Sequence, residues 1–227
     1  GFDVMVGDND DLGDGDGKKE TIIALFDETN NAWKDASLMG ELTLSGETVP
    51  TGMMETNSVA YTEGNEITLD GDFSDWDQFE QVALSRFGKG ETTDDDLSAV
   101  FKTTFDANSI YFMVEVTDDI AGTNFHNETN HDNIELFFDM DNSKIVWNED
   151  DAGGKWTPLY DANDHQIRFD RDVDGYAATD DFPQADGCTI EKVETDNGWA
   201  IEVAIPFSSL MPDFDPADGT VIGFDVM

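Results

Sequence analysis

The sequence begins and ends with the same five residues. One copy of GFDVM occupies positions 1–5 and the other occupies positions 223–227, so the copies lie 222 positions apart. In each copy, Phe and Val alternate with Asp and Met, which is the period-two pattern of a half-buried strand. We therefore predict the same strand at both ends, as expected for a window taken from an array of similar domains. A single domain with two similar edge strands is the alternative.

The array interpretation divides the chain into three parts. Residues 1–47 are predicted to be the C-terminal strands of a β-sandwich, belonging to a preceding repeat or donated to it. Residues 48–65 are predicted to be a linker, because the hydrophobic periodicity is lost there. Residues 66–227 then hold the N-terminal and central part of a sandwich. Many short strands separated by turn residues predict an all-β, antiparallel, jelly-roll-like β-sandwich with little helix.

The chain is strongly acidic. It has 52 Asp and Glu residues against 11 Lys and Arg residues, a formal net charge of −41, and 36 Asp against 16 Glu. This charge excludes nucleic-acid binding and implies either bound Ca²⁺ or a saline medium. The single Cys188 excludes an internal disulfide, and no apolar run reaches the length of a membrane span.

One acidic segment has the spacing of a Ca²⁺-binding loop. Carboxylates alternate through Asp170, Asp172 and Asp174, Gly175 permits a sharp turn, and Asp181 stands at position 12 of the loop. The predicted metal residues of this segment are Asp170, Asp172, Asp174, Tyr176 and Asp181. A solvated acidic turn is the alternative.

Two further acidic groups are candidate metal sites. The loop GDNDDLGDGDG at 7–17 could wrap a cation, and its candidate ligands are Asp8, Asp10, Asp14 and Asp16. Asp139 and Asp141 form the other group, which stands beside the acidic turn at 118–119, although a charged hairpin corner explains them equally well. All three groups predict Ca²⁺ as the cofactor.

Two tryptophans stand in a polar stretch where a core residue is out of place. Trp147 and Trp156 are surrounded by Asn, Asp and Gly, and an exposed indole can stack on the C–H face of a sugar. Gln166 and Arg168 follow as hydrogen-bonding candidates for sugar hydroxyls. Packing of the two indoles on a neighbouring domain is the alternative.

Five segments together carry a family resemblance. They are LDGDFSDWD at 69–77, FKTTFDANSIYFMVEVTDD at 101–119, HDNIELFFDMDNSK at 131–144, GWAIEVAIPFSSL at 198–210 and IGFDVM at 222–227. The set resembles a family 9 carbohydrate-binding module, with the family's closing strands placed at the front of this chain, in permuted or tandem-repeat order. The resemblance implies an antiparallel β-sandwich with structural Ca²⁺, a polysaccharide or glycan as partner, and no catalytic centre. The sequence shows no nucleophile motif and no phosphate-binding loop, so we expect no enzyme activity.

Three functions of different classes follow. The first is a Ca²⁺-stabilised carbohydrate-binding module, extracellular or at the cell surface, in a tandem or polymeric array. The second is a structural subunit of a fibre or surface layer, assembled when the front of one copy completes the sandwich of another. The third is a haem-binding electron-transfer sandwich, which needs an axial His or Met; His126 and His165 are both in loop-like sequence and do not favour it.

Overall fold

The computed structural model describes residues 2–12, 15–27, 29–45, 56–61, 67–84, 86–90, 93–122, 130–144, 160–172, 187–216 and 220–225. The strands within these ranges are β1 (Phe2–Asp8), β2 (Thr21–Ala24), β3 (Glu41–Ser45), β4 (Thr56–Tyr61), β5 (Val82–Ala83), β6 (Arg86–Lys89), β7 (Leu97–Phe105), β8 (Ser109–Asp118), β9 (Asn133–Asp139), β10 (Asp164–Asp170), β11 (Thr189–Thr195), β12 (Gly198–Pro206) and β13 (Thr220–Asp225). One α-helical turn, α1 (Phe207–Leu210), and 3₁₀ turns at Ala36–Leu38 and Phe73–Gln78 complete the described elements. In the part of the chain that is described, no helix has the length and hydropathy to cross a membrane.

The strands form one continuously paired sheet, and this sheet folds over into two layers. The order is β11-β12-β8-β7-β4-β3-β13-β9-β1-β2-β6, with β10 on the other edge of β9 and β5 beside β7. Phe112 in β8 and Phe138 in β9 meet edge to face with ring centroids 6.0 Å apart, which shows that the two halves of the sheet cover each other. The predicted all-β sandwich is therefore confirmed.

Alternation of apolar residues builds the core between the layers. In β8 the side chains of Ile110, Phe112, Val114 and Val116 are all buried in the main hydrophobic cluster, as their period of two predicts. β7 and β8 form a hairpin, paired in antiparallel register from Leu97↔Asp118 to Phe105↔Ile110. The helical turn α1 directly follows β12.

A strand lies where the sequence predicts a linker. Residues Thr56–Tyr61 form β4, within the predicted linker at 48–65. This strand pairs in parallel with β3 and with β7, so it joins the two halves of the sheet. Periodicity did not reveal β4 because its residues, TNSVAY, do not alternate between polar and apolar.

A buried glutamate closes one corner of the sandwich. Glu202 Oε2 accepts hydrogen bonds from the backbone N–H groups of Asp70 and Gly71, at 3.1 and 2.8 Å, and its Oε1 accepts one from Trp76 Nε1 at 2.8 Å. Trp76 is fully buried in the 3₁₀ turn that Asp72 caps. A carboxylate 126 residues away thus holds the buried indole in place.

Several of the few basic side chains tie the backbone together. Lys89, Lys102 and Lys192 each donate a hydrogen bond from Nζ to a main-chain carbonyl oxygen. The carbonyls belong to Lys19, Trp76 and Asp170, respectively. These lysines therefore supply hydrogen bonds to backbone carbonyl groups in addition to their positive charge.

Candidate functional site

Three carboxylates from distant parts of the chain meet at one end of the sandwich. Asp8 ends β1, Asp118 ends β8 and Asp132 directly precedes β9. Each offers an oxygen atom such that the three atoms lie within 4.8 Å of one another, and all three side chains are buried. We call this group the acidic triad.

The backbone around the triad holds two of its members. Asp132 accepts hydrogen bonds from the N–H groups of Asn9 and Gly122, at 2.9 and 3.0 Å. Asp118 accepts one from the N–H group of Ile120 at 3.0 Å and another from Arg171 Nη1 at 3.0 Å. By contrast, Asp8 Oδ1 is buried with no hydrogen-bond partner, which leaves it available as a ligand.

A second acidic group lies nearer the surface. Asp10, Asp96 and Asp119 also place an oxygen each within 4.8 Å of the others. Asp10 Oδ1 is buried and has no hydrogen-bond partner, whereas Asp119 is exposed. Coulomb repulsion reaches from Asp118 to Asp10, so the two groups act on each other electrostatically.

Burial and like charge make these groups hard to ionise without a counter-ion. Burial, followed by the charges of Asp118 and its neighbours, raises the pKa of Asp8 to about 9. The same causes raise the pKa of Asp132 to about 7 and that of Asp10 to about 6. A cation at the triad reverses this penalty, because it favours the ionised carboxylates.

The donor set fits Ca²⁺. Carboxylate oxygens are the ligands that Ca²⁺ prefers, and a buried, unpartnered oxygen such as Asp8 Oδ1 gains most from coordination. Neither Cys nor His belongs to the triad, so the soft or borderline ligands typical of Zn²⁺ are missing from this group.

Without divalent cations, stability should fall as the pH rises. The folded-state pKa of Asp8 and Asp132 lies above the unfolded value near 4, so the folded state binds more protons between about pH 4 and 9. The stabilising effect of these protons is complete below about pH 4 and is lost as the pH passes through 7 and 9. We expect a higher melting temperature in chelator at pH 5.5 than at pH 8.5, at constant ionic strength. An equal or higher value at pH 8.5 contradicts the shifted pKa values.

Of the remaining predicted metal residues of the first loop, Asp16 pairs with a lysine. Asp16 is exposed and lies 2.6 Å from Lys18 Nζ, and Asp14 is outside the described residues. The loop is instead anchored by Asp11, whose carboxylate accepts hydrogen bonds from the N–H groups of Gly15 and Gly17 at 2.9 and 2.6 Å. Asp8 therefore belongs to the acidic triad and Asp10 to the second acidic group, so two residues of one loop contribute to different groups.

Two residues of the segment predicted as a Ca²⁺ loop, Asp170 and Asp172, lie within the described residues, and each lies next to a basic side chain. Asp170 is buried, and its Oδ1 lies 2.9 Å from Arg168 Nε. The two groups form an ion pair, but the Nε–H group does not point at Oδ1 and makes no hydrogen bond with it. Asp172 Oδ1 lies 2.7 Å from His131 Nδ1. Asp174, Tyr176 and Asp181 lie outside the described residues.

The third predicted group caps a turn. Asp139 accepts hydrogen bonds from the N–H groups of Ser143 and Lys144, at 3.0 and 2.9 Å. Asp141 Oδ1 accepts from the same Ser143 N–H at 3.0 Å, and its Oδ2 accepts from Asn163 Nδ2 at 3.1 Å. Within the described ranges these two residues form no cluster of three possible ligands.

A polar and largely buried cluster lies on the side of β9 and β10 that faces away from the main core. Gln166 Nε2 donates to Glu135 Oε2, and Lys19 Nζ donates to Asn133 Oδ1 at 2.9 Å and lies 3.4 Å from Glu135 Oε1. Burial lowers the pKa of Lys19, while the charge of Glu135 opposes this shift. We call Lys19, Asn133, Glu135, Gln166 and Arg168 the polar row.

Two features of the sequence make room for the polar row. Arg168 pairs in register with Glu135, and Gln166 with Phe137, so alternate residues of two neighbouring strands share this side. Gly7 in β1 lies opposite Asn133 in β9, and a Cβ atom at Gly7 would lie 2.6 Å from Lys19 Cδ. The glycine therefore lets the lysine lie across β1.

Aromatic side chains lie on the same side of the sheet as the polar row. Phe137 belongs to a second hydrophobic cluster against which Trp33 and Tyr160 pack half-buried. Trp33 Nε1 donates to the Asn30 carbonyl at 3.1 Å, and Lys34 Nζ lies 5.4 Å from the centre of the indole ring. Trp147 and Trp156, predicted to stack on sugar, lie outside the described residues.

Comparison with known proteins agrees with the fold. The profile of the carbohydrate family 9 binding domain-like family matches residues 1–47 and 69–227. The chain is 26% identical over 227 residues to endo-1,4-beta-xylanase A of Thermoanaerobacterium saccharolyticum and 25% identical to exoglucanase XynX of Acetivibrio thermocellus. It spans 17% and 18% of these proteins, less than a fifth of their length.

Two solved structures share the architecture. Both are family 9 carbohydrate-binding modules from Caldicellulosiruptor kristjanssonii, one in complex with glucose and one with cellotriose. The first has a TM-score of 0.52 at 20% identity and covers 73% of each chain; the second has a TM-score of 0.52 at 18% identity and covers 80% of this chain and 72% of that one. Because the family profile matches most of the sequence, the chain belongs to the carbohydrate family 9 binding domain-like family.

Proposed function

We propose that this domain binds carbohydrate without catalysing a reaction, as a module of an extracellular or cell-surface protein. The family is one of binding modules, and the relatives named above are xylanases and an exoglucanase in which the matching part is under a fifth of the chain. The observation that carries the proposal is the polar row beside half-buried aromatic rings. We infer a neutral, glucose-containing glycan, the ligand class seen with the two similar modules.

The polar row has the chemistry that sugar hydroxyls require. Gln166 presents a partly exposed planar amide. The planar amide, carboxylate and guanidinium groups of Asn133, Glu135 and Arg168 belong to the same row and are buried. Mutual hydrogen bonds among Lys19, Glu135 and Gln166 hold these groups in place before a ligand arrives. Such preorganisation lowers the entropic cost of binding.

Substitution of Gln166 tests the polar row. We expect Gln166→Ala to weaken the affinity for cellotriose about tenfold, because loss of one well-placed hydrogen bond costs about 1.4 kcal/mol. Titration calorimetry measures the affinity, and circular dichroism checks the fold. Glu115→Ala is the control, because Glu115 is exposed on β8. Wild-type protein that fails to bind neutral glucans rejects the function, whereas unchanged binding by Gln166→Ala rejects only this site.

The stacking role of the two loop tryptophans is a separate proposal. Trp156→Ala should abolish binding on a glycan array while leaving the fold intact, because the indole is proposed to cover the apolar face of one sugar ring. Retained binding rejects that role for Trp156.

We also propose that Ca²⁺ binds at the acidic triad and stabilises the sandwich. The support is the burial of three carboxylates within 4.8 Å and the unpartnered Asp8 Oδ1. The cation compensates the repulsion and joins the ends of β1 and β8 to the start of β9. We propose no catalytic role for it.

The repeated pentapeptide supports a further proposal, an array of similar domains. The two copies of GFDVM, 222 positions apart, give the length of one unit. Assembly into a fibre or surface layer is the structural form of this proposal, and carbohydrate binding is compatible with it, because a repeated module multiplies weak binding.

A further inference from the structure

One basic side chain is built into the acidic triad. Arg171 directly follows β10, and only 10% of its side chain is exposed. Its Nη1 atom donates a hydrogen bond to Asp118 Oδ2 at 3.0 Å, and its backbone N–H group donates to the Asp132 carbonyl oxygen at 2.9 Å. Arg171 therefore contacts two of the three triad residues, one through its charge and the other through its backbone.

The rest of the guanidinium is anchored at the end of β11. Nε and Nη2 of Arg171 donate to the two carboxylate oxygens of Glu194, at 3.1 and 2.7 Å, and this two-point contact fixes the plane of the group. Lys192 Nζ donates to the carbonyl oxygens of Asp170 and Arg171, so β11 also holds the backbone at this point. The positive charge thus has a fixed position beside the triad.

Arg171 offsets part of the negative charge of the triad. Burial raises the pKa of Asp118 and raises that of Asp132 to about 7, and the charge of Arg171 opposes both shifts. Burial also works against the charge of the guanidinium, but Glu194 and Asp118 raise the pKa of Arg171, so the group stays ionised. One guanidinium does not compensate three carboxylates, and the triad still gains from a cation.

The backbone holds the geometry of the triad without help from the Arg171 side chain. The carboxylates of Asp118 and Asp132 each accept hydrogen bonds from backbone N–H groups. The N–H group of Asp118 donates to the Asn197 carbonyl oxygen at 2.9 Å, which ties this strand end to the turn between β11 and β12. The bond from the Arg171 N–H group to Asp132 is also a backbone bond and survives a change of side chain. The distinctive contribution of the Arg171 side chain is therefore its positive charge.

We propose that Arg171 is a fixed counter-charge of the acidic triad, which stabilises the triad without a cation and weakens its affinity for Ca²⁺. The inference rests on the proposed Ca²⁺ site and names the residue that sets its affinity. Both effects have one cause, because a positive charge attracts the carboxylates in the cation-free state and repels a cation bound among them. The site therefore releases Ca²⁺ more readily than three uncompensated carboxylates would, and the domain keeps more of its stability when it does.

Removal of the charge tests the role of Arg171. We expect Arg171→Gln to bind Ca²⁺ about tenfold more tightly or better at low ionic strength, because a positive charge in contact with a ligand weakens divalent binding by that much even at the dielectric constant of water. The variant should melt below the wild type in chelator, and its gain in melting temperature on adding Ca²⁺ should be larger. Titration calorimetry measures the affinity. If the side chain were only structural, its loss would instead weaken Ca²⁺ binding and lower the melting temperature with and without Ca²⁺.

Two further variants separate charge from shape and from net charge. Arg171→Lys keeps the positive charge but loses the two-point contact with Glu194, so its Ca²⁺ affinity should stay within about threefold of the wild-type value. Lys144→Gln is the matched control for net charge. Lys144 pairs with Glu41 at 2.9 Å beyond the other end of β9, away from the triad, so the affinity of this variant should not change.

Unchanged or weaker Ca²⁺ binding by Arg171→Gln overturns the counter-charge role and leaves the proposed Ca²⁺ site intact. If Arg171→Gln does not fold even with Ca²⁺, the Arg171→Lys variant decides, and a change in its affinity of about tenfold or more overturns the role. Failure of the proposed site itself has a different signature, which is equal Ca²⁺ affinity in the wild type and in Asp8→Asn. That result places the cation away from the triad, whatever the affinity of the Arg171 variants.

Discussion

Chelation of divalent cations should lower the melting temperature by about 10 °C at low salt and pH 7.5. A ligand present at about a thousand times its dissociation constant stabilises the folded state by about 4 kcal/mol, and each kcal/mol shifts the melting temperature by about 2–4 °C in a domain of this size. The physical cause is the acidic triad, in which three buried carboxylates repel one another unless a cation or protons neutralise them. Calorimetry with 1 mM Ca²⁺ and with chelator, at equal ionic strength, measures the shift.

The Asp8→Asn variant distinguishes Ca²⁺ coordination at the acidic triad from general screening of the net charge of −41. Without a cation at pH 7.5, folding must either protonate Asp8 or bury its charge, because its pKa is raised to about 9 in the folded state. The amide removes this cost, so the variant in chelator should melt above the wild type in chelator, while the gain on adding Ca²⁺ should shrink to a few degrees. Asp215→Asn removes an exposed charge and serves as the control, with the wild-type response expected. A Ca²⁺ response that is unchanged in Asp8→Asn places the cation elsewhere.

Gly198→Ala should destabilise the domain by about 3 kcal/mol or more, on the scale of the largest single-residue effects. Gly198 begins β12 with φ of +152°, and a Cβ atom there would lie 2.1 Å from the Val116 carbonyl oxygen and 2.9 Å from the Asp118 backbone nitrogen. Both contacts are to backbone atoms of β8, so relief requires β12 to move away from β8. Urea unfolding monitored by tryptophan fluorescence measures the loss.

Gly187→Ala is the matched control for this prediction. Gly187 also has a positive φ, +90°, but its added Cβ atom would meet only Pro206 Cγ at 3.6 Å, an ordinary contact. The control should cost about 1–2 kcal/mol for the left-handed backbone alone. Equal losses in the two variants would show that the approach of β12 to β8 is not the cause.

The sequence was a good guide to elements with strong alternation and a poor guide to elements without it. β8 alternates over ten residues, and its bounds and buried face agree closely with the expectation. β4 has no such pattern and stands in the stretch that reads as a linker. β4 forms because it pairs with β3 and β7. These pairings are parallel and cannot be recognised from the sequence before the fold is known.

The acidic triad shows why local spacing could not locate the candidate cation site. Asp8, Asp118 and Asp132 come from three segments that only the sheet topology brings together. Spacing within one loop gave Asp8, Asp10, Asp14 and Asp16 as candidates together, and it could not distinguish a ligand from an anchor such as Asp11, because both are aspartates in a glycine-rich loop. Asp8 and the acidic turn at 118–119 were the signals that pointed to the triad, and nothing in the sequence joined them.

The excess of carboxylates determines how the domain behaves as a particle. Lys89, Lys102 and Lys192 keep their charge while they donate to the backbone, yet 11 Lys and Arg residues cannot offset 52 Asp and Glu residues, and a formal net charge of −41 remains. In colloidal terms the domain is a macro-ion of one sign, surrounded by a dense cloud of counter-ions. We expect such a particle to tolerate contact with neutral glucans but to repel polymers rich in uronic acids or sulfate, so charge exclusion selects among the polysaccharides of a mixed cell wall before any hydroxyl is recognised.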